Sequence, residues 1–361
     1  MENKFKPQLD HYIKEIRKGT IQYSSPSNIA LVKYWGKHSV QLPCNPNISF
    51  TLSNCKTTTQ LSFEQADTFS FKVLVDGKHN QDFEPKIELF FQRIREYLPF
   101  IDRYRFQINT SNTFPHSSGI ASSASGMSAL ALCLCRMEQI LDPTISDESQ
   151  LRKASFIARI GSGSASRSVY GGIVAWGQTD CLPESSDHFS TPIEEYHPVF
   201  NNFQDTILLV DKGKKEVSST VGHKLMNGHP YAESRFSHAH ENIQAIMNVL
   251  QTGDLKEFIK IVENEAFTLH AMMMTSNPGY MLFKPKTVEI IQRVQDLRKE
   301  SNLNLCVTLD AGANVHLLYP HDEKTQVMEI IEKELVVFCE NGQYICDEVG
   351  RGPKRLNEDY A

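Results

Sequence analysis

Residues 113–132 read TFPHSSGIASSASGMSALAL. The stretch follows a strand-like segment, RYRFQINT (103–110), carries five serines between residues 117 and 125, and then turns apolar. Two readings compete. A flexible Ser/Gly linker would join separate units. The entry to a buried helix would set free backbone N–H groups and small residues where an anion can approach, with the helix dipole adding to the field. Its place between a strand and a strongly apolar run favours a helix entry. On composition alone, a phosphate cradle and a plain small-residue helix entry stay evenly balanced. No GxxxxGK[ST] segment occurs, so this is not a Walker A loop.

Working outward, apolar spacing predicts strands at NIALVKYW (28–35), TTTQLSFE (57–64) and FSFKVLVDG (69–77), and a helix at EPKIELFFQRIREYL (84–98). Helices are expected at 124–141 and at 146–161, the second capped by Ser146 or Asp147. A second small-residue loop, GSGSASRS (161–168), runs into a strand. The polar stretch 178–202 is the best boundary. Beyond it come a strand at DTILLVD (205–211), helices near 216–226, 230–251, 254–275 and 285–300, a strand pair around LCVTLDAG and NVHLLYP, a helix at 322–336 and a strand at 342–347. Strands and helices mix without strict βαβ alternation. The expected fold is therefore α+β in two domains, 21–200 and 201–361, after an amphipathic extension at 1–20.

The chain has 361 residues, 37 Lys plus Arg and 43 Asp plus Glu, a net charge of −6. That balance argues against a general nucleic-acid or anionic-membrane binder. No run of 18 apolar residues occurs, and the N-terminus lacks an apolar signal region. Eight scattered cysteines without a CxxC predict reduced thiols and a cytoplasmic setting.

Other segments could carry chemistry. Arg167, in GSGSASRS, can bind a carboxylate or phosphate with two hydrogen bonds, although a solvated turn is the commoner use of such a stretch. Lys33 and Lys37 flank an aromatic pair in NIALVKYWGKHS. They are either outward lysines of an edge strand or cations beside an anionic substrate. Asp310 ends an apolar strand, as a turn residue or as a displayed carboxylate. KGKKEVSST (212–220) offers a helix cap at Ser218 or Ser219, or further anion donors. HAMMMTSNP (270–278) reads as core.

In this order, PSNIALVKYWGKH, LPCNPNISFTLS, FPHSSGIASSASGMSALA, GSGSASRSVYGGIVAW, KKEVSST and TLDAGANVHLLY together resemble the diphosphomevalonate decarboxylases. These belong to the galactokinase, homoserine kinase, mevalonate kinase and phosphomevalonate kinase superfamily. The resemblance implies a first domain like the second domain of ribosomal protein S5, a ferredoxin-like second domain, a site in the cleft between them, and a homodimer. It implies ATP-dependent decarboxylation of mevalonate 5-diphosphate with ATP and magnesium. Carried over residue by residue, Ser118, Gly119, Ala121, Ser122, Ser123 and Ala124 would cradle the ATP phosphates, with Ser123 as a magnesium contact. Asp310 would act at the 3-hydroxyl as base or orienter. Arg167 would hold the substrate carboxylate, with Asn28 positioning that region. Tyr34, Lys37, Ser162, Gly163, Ser164 and Ser219 would face the diphosphate. Lys37 also joins Asp310, Arg167 and Asn28 in the expected catalytic set. The departures are His38 after KYWGK, Asn47 where serine is common, and MMMTSNPGYMLF (272–283); none is expected to touch Asp310, Arg167 or the serine loop. Rival readings are a monophosphate-specific decarboxylase, a mevalonate 3-kinase-like enzyme, and a non-catalytic nucleotide-binding homologue.

Overall fold

The structure, a computed structural model, describes residues 2–115, 120–213 and 217–361. Alternating apolar and polar residues build the first sheet. β1 (Lys18–Val32) and β2 (Asn47–Gln65) pair antiparallel, from Lys18 opposite Glu64 to Val32 opposite Ile48. β3 (Ser70–Val75) leads through α1 (Glu84–Ile94) to β4 (Tyr104–Asn112), which lies parallel to β3 and antiparallel to β2. The helix supplies the crossover that a parallel pair needs. β5 (Ile173–Trp176) and β6 (Ser190–Ile193) extend the other half of β2.

The opening stretch resolves into a helix rather than a linker. α2 (Ser122–Leu141) and α3 (Asp147–Gly161) pack together, and α2 lies on β1 and β2. Small residues let α2 approach the sheet closely. Ser25 donates to Ser128 at 2.7 Å, and Ser125 shares a 2.6 Å hydrogen bond with Thr57. Part of the serine content therefore satisfies buried hydroxyls rather than a ligand. Ser146 caps α3, its hydroxyl accepting from the Ser149 amide, as expected.

In the second half, β7 (Gln204–Leu208), β8 (Cys306–Thr308), β9 (Val315–Tyr319) and β10 (Tyr344–Glu348) form an antiparallel sheet in the order β8-β9-β7-β10. With α4 (Ser219–Lys224), α5 (Ala232–Thr252), α6 (Leu255–Met274) and α7 (Pro285–Ser301) between β7 and β8, and α8 (Lys324–Ile330) between β9 and β10, this is the ferredoxin-like strand order. The domains share apolar surface: Phe50 of β2 meets Phe203 at 5.8 Å and Phe258 of α6 at 6.1 Å. Met272 and Met273 are buried around Trp35, in keeping with the core reading of that stretch.

One feature departs from the expected division of the chain, and one that the sequence left unplaced finds its position. Residues 201–361 do not stay together, because β11 (Lys354–Tyr360) returns to the first sheet and pairs antiparallel with β1, Gly19 opposite Tyr360. Its polar sequence, KRLNEDY, hides the strand, since an edge strand lacks a buried face to pattern it. The extension at 1–20 is docked on the first domain. Phe5 stacks on Phe156 at 4.2 Å, and Glu2 meets the buried Arg159 at 3.2 Å. No helix among the described residues is long and apolar enough to cross a membrane.

Candidate active site

A cleft of about 430 Å³ opens where β1, the α3 C-terminus, α4 and the β8–β9 loop converge. Tyr34, Lys37, Ala121, Ser123, Ala124, Ser162, Gly163, Ser164, Arg167, Ser219 and Asp310 all line it. Sequence reasoning drew these residues from five separate segments. Ser118 and Gly119 lie outside the described residues.

Asp310 sits on the loop after β8, with about a quarter of its side chain exposed. Lys33, just past the end of β1 and 1% exposed, donates from Nζ to Asp310 Oδ1 at 3.0 Å and to the Ala30 carbonyl at 2.6 Å. Burial alone would raise the Asp310 pKa. The Lys33 ammonium outweighs it and, with His316 and Arg167, holds the carboxyl below its usual range. Lys33 is thus not an outward lysine, because its ammonium is buried against Asp310. Its own backbone N–H donates to Glu265, which forms a fully buried pair with Arg235 at 2.6 Å.

Arg167 is 2% exposed and is held entirely by neutral acceptors. Its Nε donates to Ser49 at 2.9 Å, Nη2 to Asn28 at 3.0 Å and Nη1 to Asn47. No carboxylate forms an ion pair with it among the described residues, and burial pushes its pKa down to about 10 against the pull of Asp310. A buried cation with only neutral hydrogen-bond acceptors on the cleft wall is arranged for an anionic ligand. Asn28 does not line the cleft. It stands behind Arg167, donating from Nδ2 to Ser168 at 2.7 Å and the Ser164 carbonyl at 3.2 Å, so it positions rather than touches. Asn47, expected to leave Arg167 untouched, is one of its hydrogen-bond acceptors. Side-chain length explains this: β2 carries Asn47 and Ser49 two residues apart on one face.

At the other end of the cleft, Ala121 caps α2 in a left-handed conformation (φ 46), a strained geometry for alanine that turns the chain into the helix. Ser122 carries a buried hydroxyl with no hydrogen-bond partner among the described residues. The Ser123 hydroxyl accepts from Lys86 Nζ at 2.6 Å, so an ammonium already stands where a magnesium contact was expected. Lys86 comes from α1. Burial and the nearby Lys37 push its pKa down to about 8, a depression that solvent tempers because the residue as a whole is exposed. Burial, Arg93 and Lys224 lower the Lys37 pKa in the same way. Ser218, not Ser219, caps α4, accepting from the Val221 amide at 3.3 Å and leaving Ser219 facing the cleft. Gly163 is required by close packing, since a Cβ there would lie 2.7 Å from Trp176 and 2.9 Å from the Tyr34 hydroxyl. That hydroxyl is buried without a hydrogen-bond partner among the described residues.

A larger cavity of about 660 Å³ adjoins the cleft, sharing Lys86, Ala121, Ser123, Ser218 and Ser219. Its walls are more apolar, with Val73, Phe83, Ile87, Ile108, Phe114 and Leu130. Lys86 and His223 escaped the sequence reading, which weighed Lys33 only as an outward lysine or a cation beside the substrate and expected Asn47 to leave Arg167 untouched. Lys33 had a visible signal in the lysine-aromatic segment. Lys86 had none, because it falls on the polar face of an ordinary amphipathic helix.

Residues 25–188 match the family of diphosphomevalonate decarboxylase-like N-terminal domains, and residues 206–358 match the mevalonate 5-diphosphate decarboxylase C-terminal domain. The chain is 30% identical to the diphosphomevalonate decarboxylase of Ganoderma lucidum over 333 residues, covering 86% of this chain and 80% of that protein. It is 28% identical to that of Candida albicans over 329 residues, covering 86% and 87%. Among solved structures, mevalonate diphosphate decarboxylase from Staphylococcus aureus superposes with a TM-score of 0.80 at 26% identity, covering 96% of this chain and 100% of that one. The complex of MDDEF with MVAPP, AMPPCP and magnesium gives 0.81 at 23% identity, covering 94% and 99%.

Proposed function

The chain belongs to the diphosphomevalonate decarboxylase family, and from that premise we infer how its cleft performs the reaction. The enzyme catalyses the ATP-dependent decarboxylation of mevalonate 5-diphosphate to isopentenyl diphosphate. The γ-phosphoryl group of ATP passes to the tertiary 3-hydroxyl, whose proton is released. Phosphate then leaves C3 as the bond to the carboxylate carbon breaks. That electron pair forms the new double bond, and carbon dioxide departs.

The observation that carries the residue assignment is the meeting of Asp310, Lys33 and Arg167 in one cleft. Asp310, kept ionised by Lys33, accepts a hydrogen bond from the 3-hydroxyl and aims it at the phosphoryl group. Its depressed pKa suits orientation better than full proton abstraction. Phosphoryl transfer through a loose transition state needs little more than positioning and charge stabilisation. Arg167 holds the substrate carboxylate until the carbon–carbon bond breaks. Tyr34, Lys37, Ser162, Ser164 and Ser219 face the diphosphate.

The α2 N-terminus, Ser122, Ser123 and Lys86 hold the ATP phosphates, and the apolar cavity beside them takes the base. Magnesium, when bound with those phosphates, neutralises their charge. The Ser122 hydroxyl, buried without a partner among the described residues, is the hard oxygen donor that fits it best. The eight free cysteines support a cytoplasmic enzyme. A homodimer is the further expectation, read by light scattering.

Purified protein with ATP, magnesium and mevalonate 5-diphosphate is expected to release ADP, phosphate and carbon dioxide. It should be less efficient with the 5-monophosphate. Asp310→Asn should abolish release while retaining nucleotide binding. An active Asp310→Asn enzyme, or no carbon dioxide from folded wild type, refutes the assignment.

A further inference from the structure

His223 lines the cleft on α4 and is 7% exposed. Its ring lies against Tyr34, with centroids 4.3 Å apart, and against Trp35 at 4.6 Å. The Gly36 amide donates to its Nδ1 at 3.1 Å. A nitrogen that accepts carries no proton, so the neutral ring holds its proton on Nε2. Burial, and then Lys37, lower the pKa to about 3, so the ring is neutral at physiological pH. Nδ1 carries the one hydrogen bond that engages the ring among the described residues, and the residue lines the cleft. Gly222 makes the placement possible: a Cβ there would lie 2.5 Å from both Trp35 and the Tyr280 hydroxyl.

The ring is therefore a largely buried neutral donor on the cleft wall. Beside it the Tyr34 hydroxyl is buried with no hydrogen-bond partner among the described residues, an arrangement that is unfavourable unless a ligand supplies oxygens there. We propose that His223 is a substrate-binding residue whose Nε2–H donates to an oxygen of the substrate's diphosphate. This rests on the reading that the diphosphate lies beside Tyr34 and Lys37. Lys37 and Lys224 already supply charge there. A neutral directional donor adds geometric selection for a terminal phosphate without adding to the repulsion among those cations.

The alternative is that His223 only satisfies the Gly36 amide, and two substitutions separate the roles. His223→Asn keeps an acceptor near the Nδ1 position and loses the Nε2 donor. His223→Gln places an amide N–H near Nε2. In His223→Asn, KM for mevalonate 5-diphosphate should rise about tenfold or more. Its kcat, KM for ATP and melting temperature should stay near wild type, and His223→Gln should recover most of the loss. Calorimetric binding of inorganic pyrophosphate should weaken in parallel. An unchanged KM in His223→Asn overturns the proposal, as does equal impairment of both variants with a lowered melting temperature. Pyrophosphate binding needs no turnover. Wild type that binds it more tightly than His223→Asn yet releases no carbon dioxide keeps the contact and removes the assigned reaction. Equal binding removes the contact, whatever the turnover.

Discussion

Replacing Arg167 with methionine should leave the fold nearly as stable as before and remove most of the activity. The two halves of that statement come from different contacts. The guanidinium titrates at about 10 in the folded protein against an ordinary 12.5. A cation whose folded pKa lies below its unfolded value destabilises the fold at every pH below the folded pKa. That cost fades only as pH rises between the two values, so at pH 7 it is present in full, about 3 kcal/mol. Methionine removes it. The substitution also strips the donor from Asn28, Asn47 and Ser49, leaving each acceptor short of a partner at about 1 kcal/mol apiece. The two effects oppose and nearly cancel, so the unfolding free energy in urea should change by about 1 kcal/mol or less. Catalysis has no such compensation. A substrate carboxylate in the cleft without its cation loses about 3–5 kcal/mol, or two to nearly four orders of magnitude in kcat/KM. Wild-type protein should also gain thermal stability from mevalonate 5-diphosphate, and Arg167→Met should gain little. A loss of 3 kcal/mol or more in the ligand-free variant would make Arg167 a structural residue. A kcat/KM within tenfold of wild type would refute the carboxylate role.

Lys33→Met should shift the acid limb of the kcat/KM profile to higher pH, because Lys33 does most to keep Asp310 below its usual range and burial is then opposed only by the weaker pull of His316 and Arg167; an unmoved limb with lowered kcat would argue against that coupling. ATP affinity should weaken as pH rises through about 8, where Lys86 loses its proton beside Ser123, and Lys86→Arg should flatten this dependence in a nucleotide-binding titration. Asn47→Ala removes one of the acceptors of Arg167 and should raise KM for the substrate several-fold while leaving KM for ATP unchanged.

Much of the fold was legible because periodicity and caps mark it. The alternation in TTTQLSFE, the serine cap of α3 and the apolar face of α6 each require only local information. The cleft was legible where small-residue segments announce themselves, as at 161–168 and 121–124. What escaped depends on distance in the chain. Lys33 acquires its role only when Asp310, 277 positions further along the chain, is brought to it. Asn47 reads as an ordinary strand residue until Arg167 arrives from 120 positions away. Lys86 sits on a helix face that any soluble protein would make polar. The strand at Lys354–Tyr360 carries no alternation because only one residue in it is even half-buried.

That last strand has a consequence for the order in which the protein is made. The outer edge of β1 is completed by residues synthesised more than 300 positions later. During translation, the first domain must therefore wait with an open hydrogen-bonding edge while the whole second domain emerges, the interval in which a nascent chain is most prone to pair with the wrong neighbour. Tyr23 and Ser24, opposite Arg355 and Lys354, are made more than 300 positions before the residues that close them.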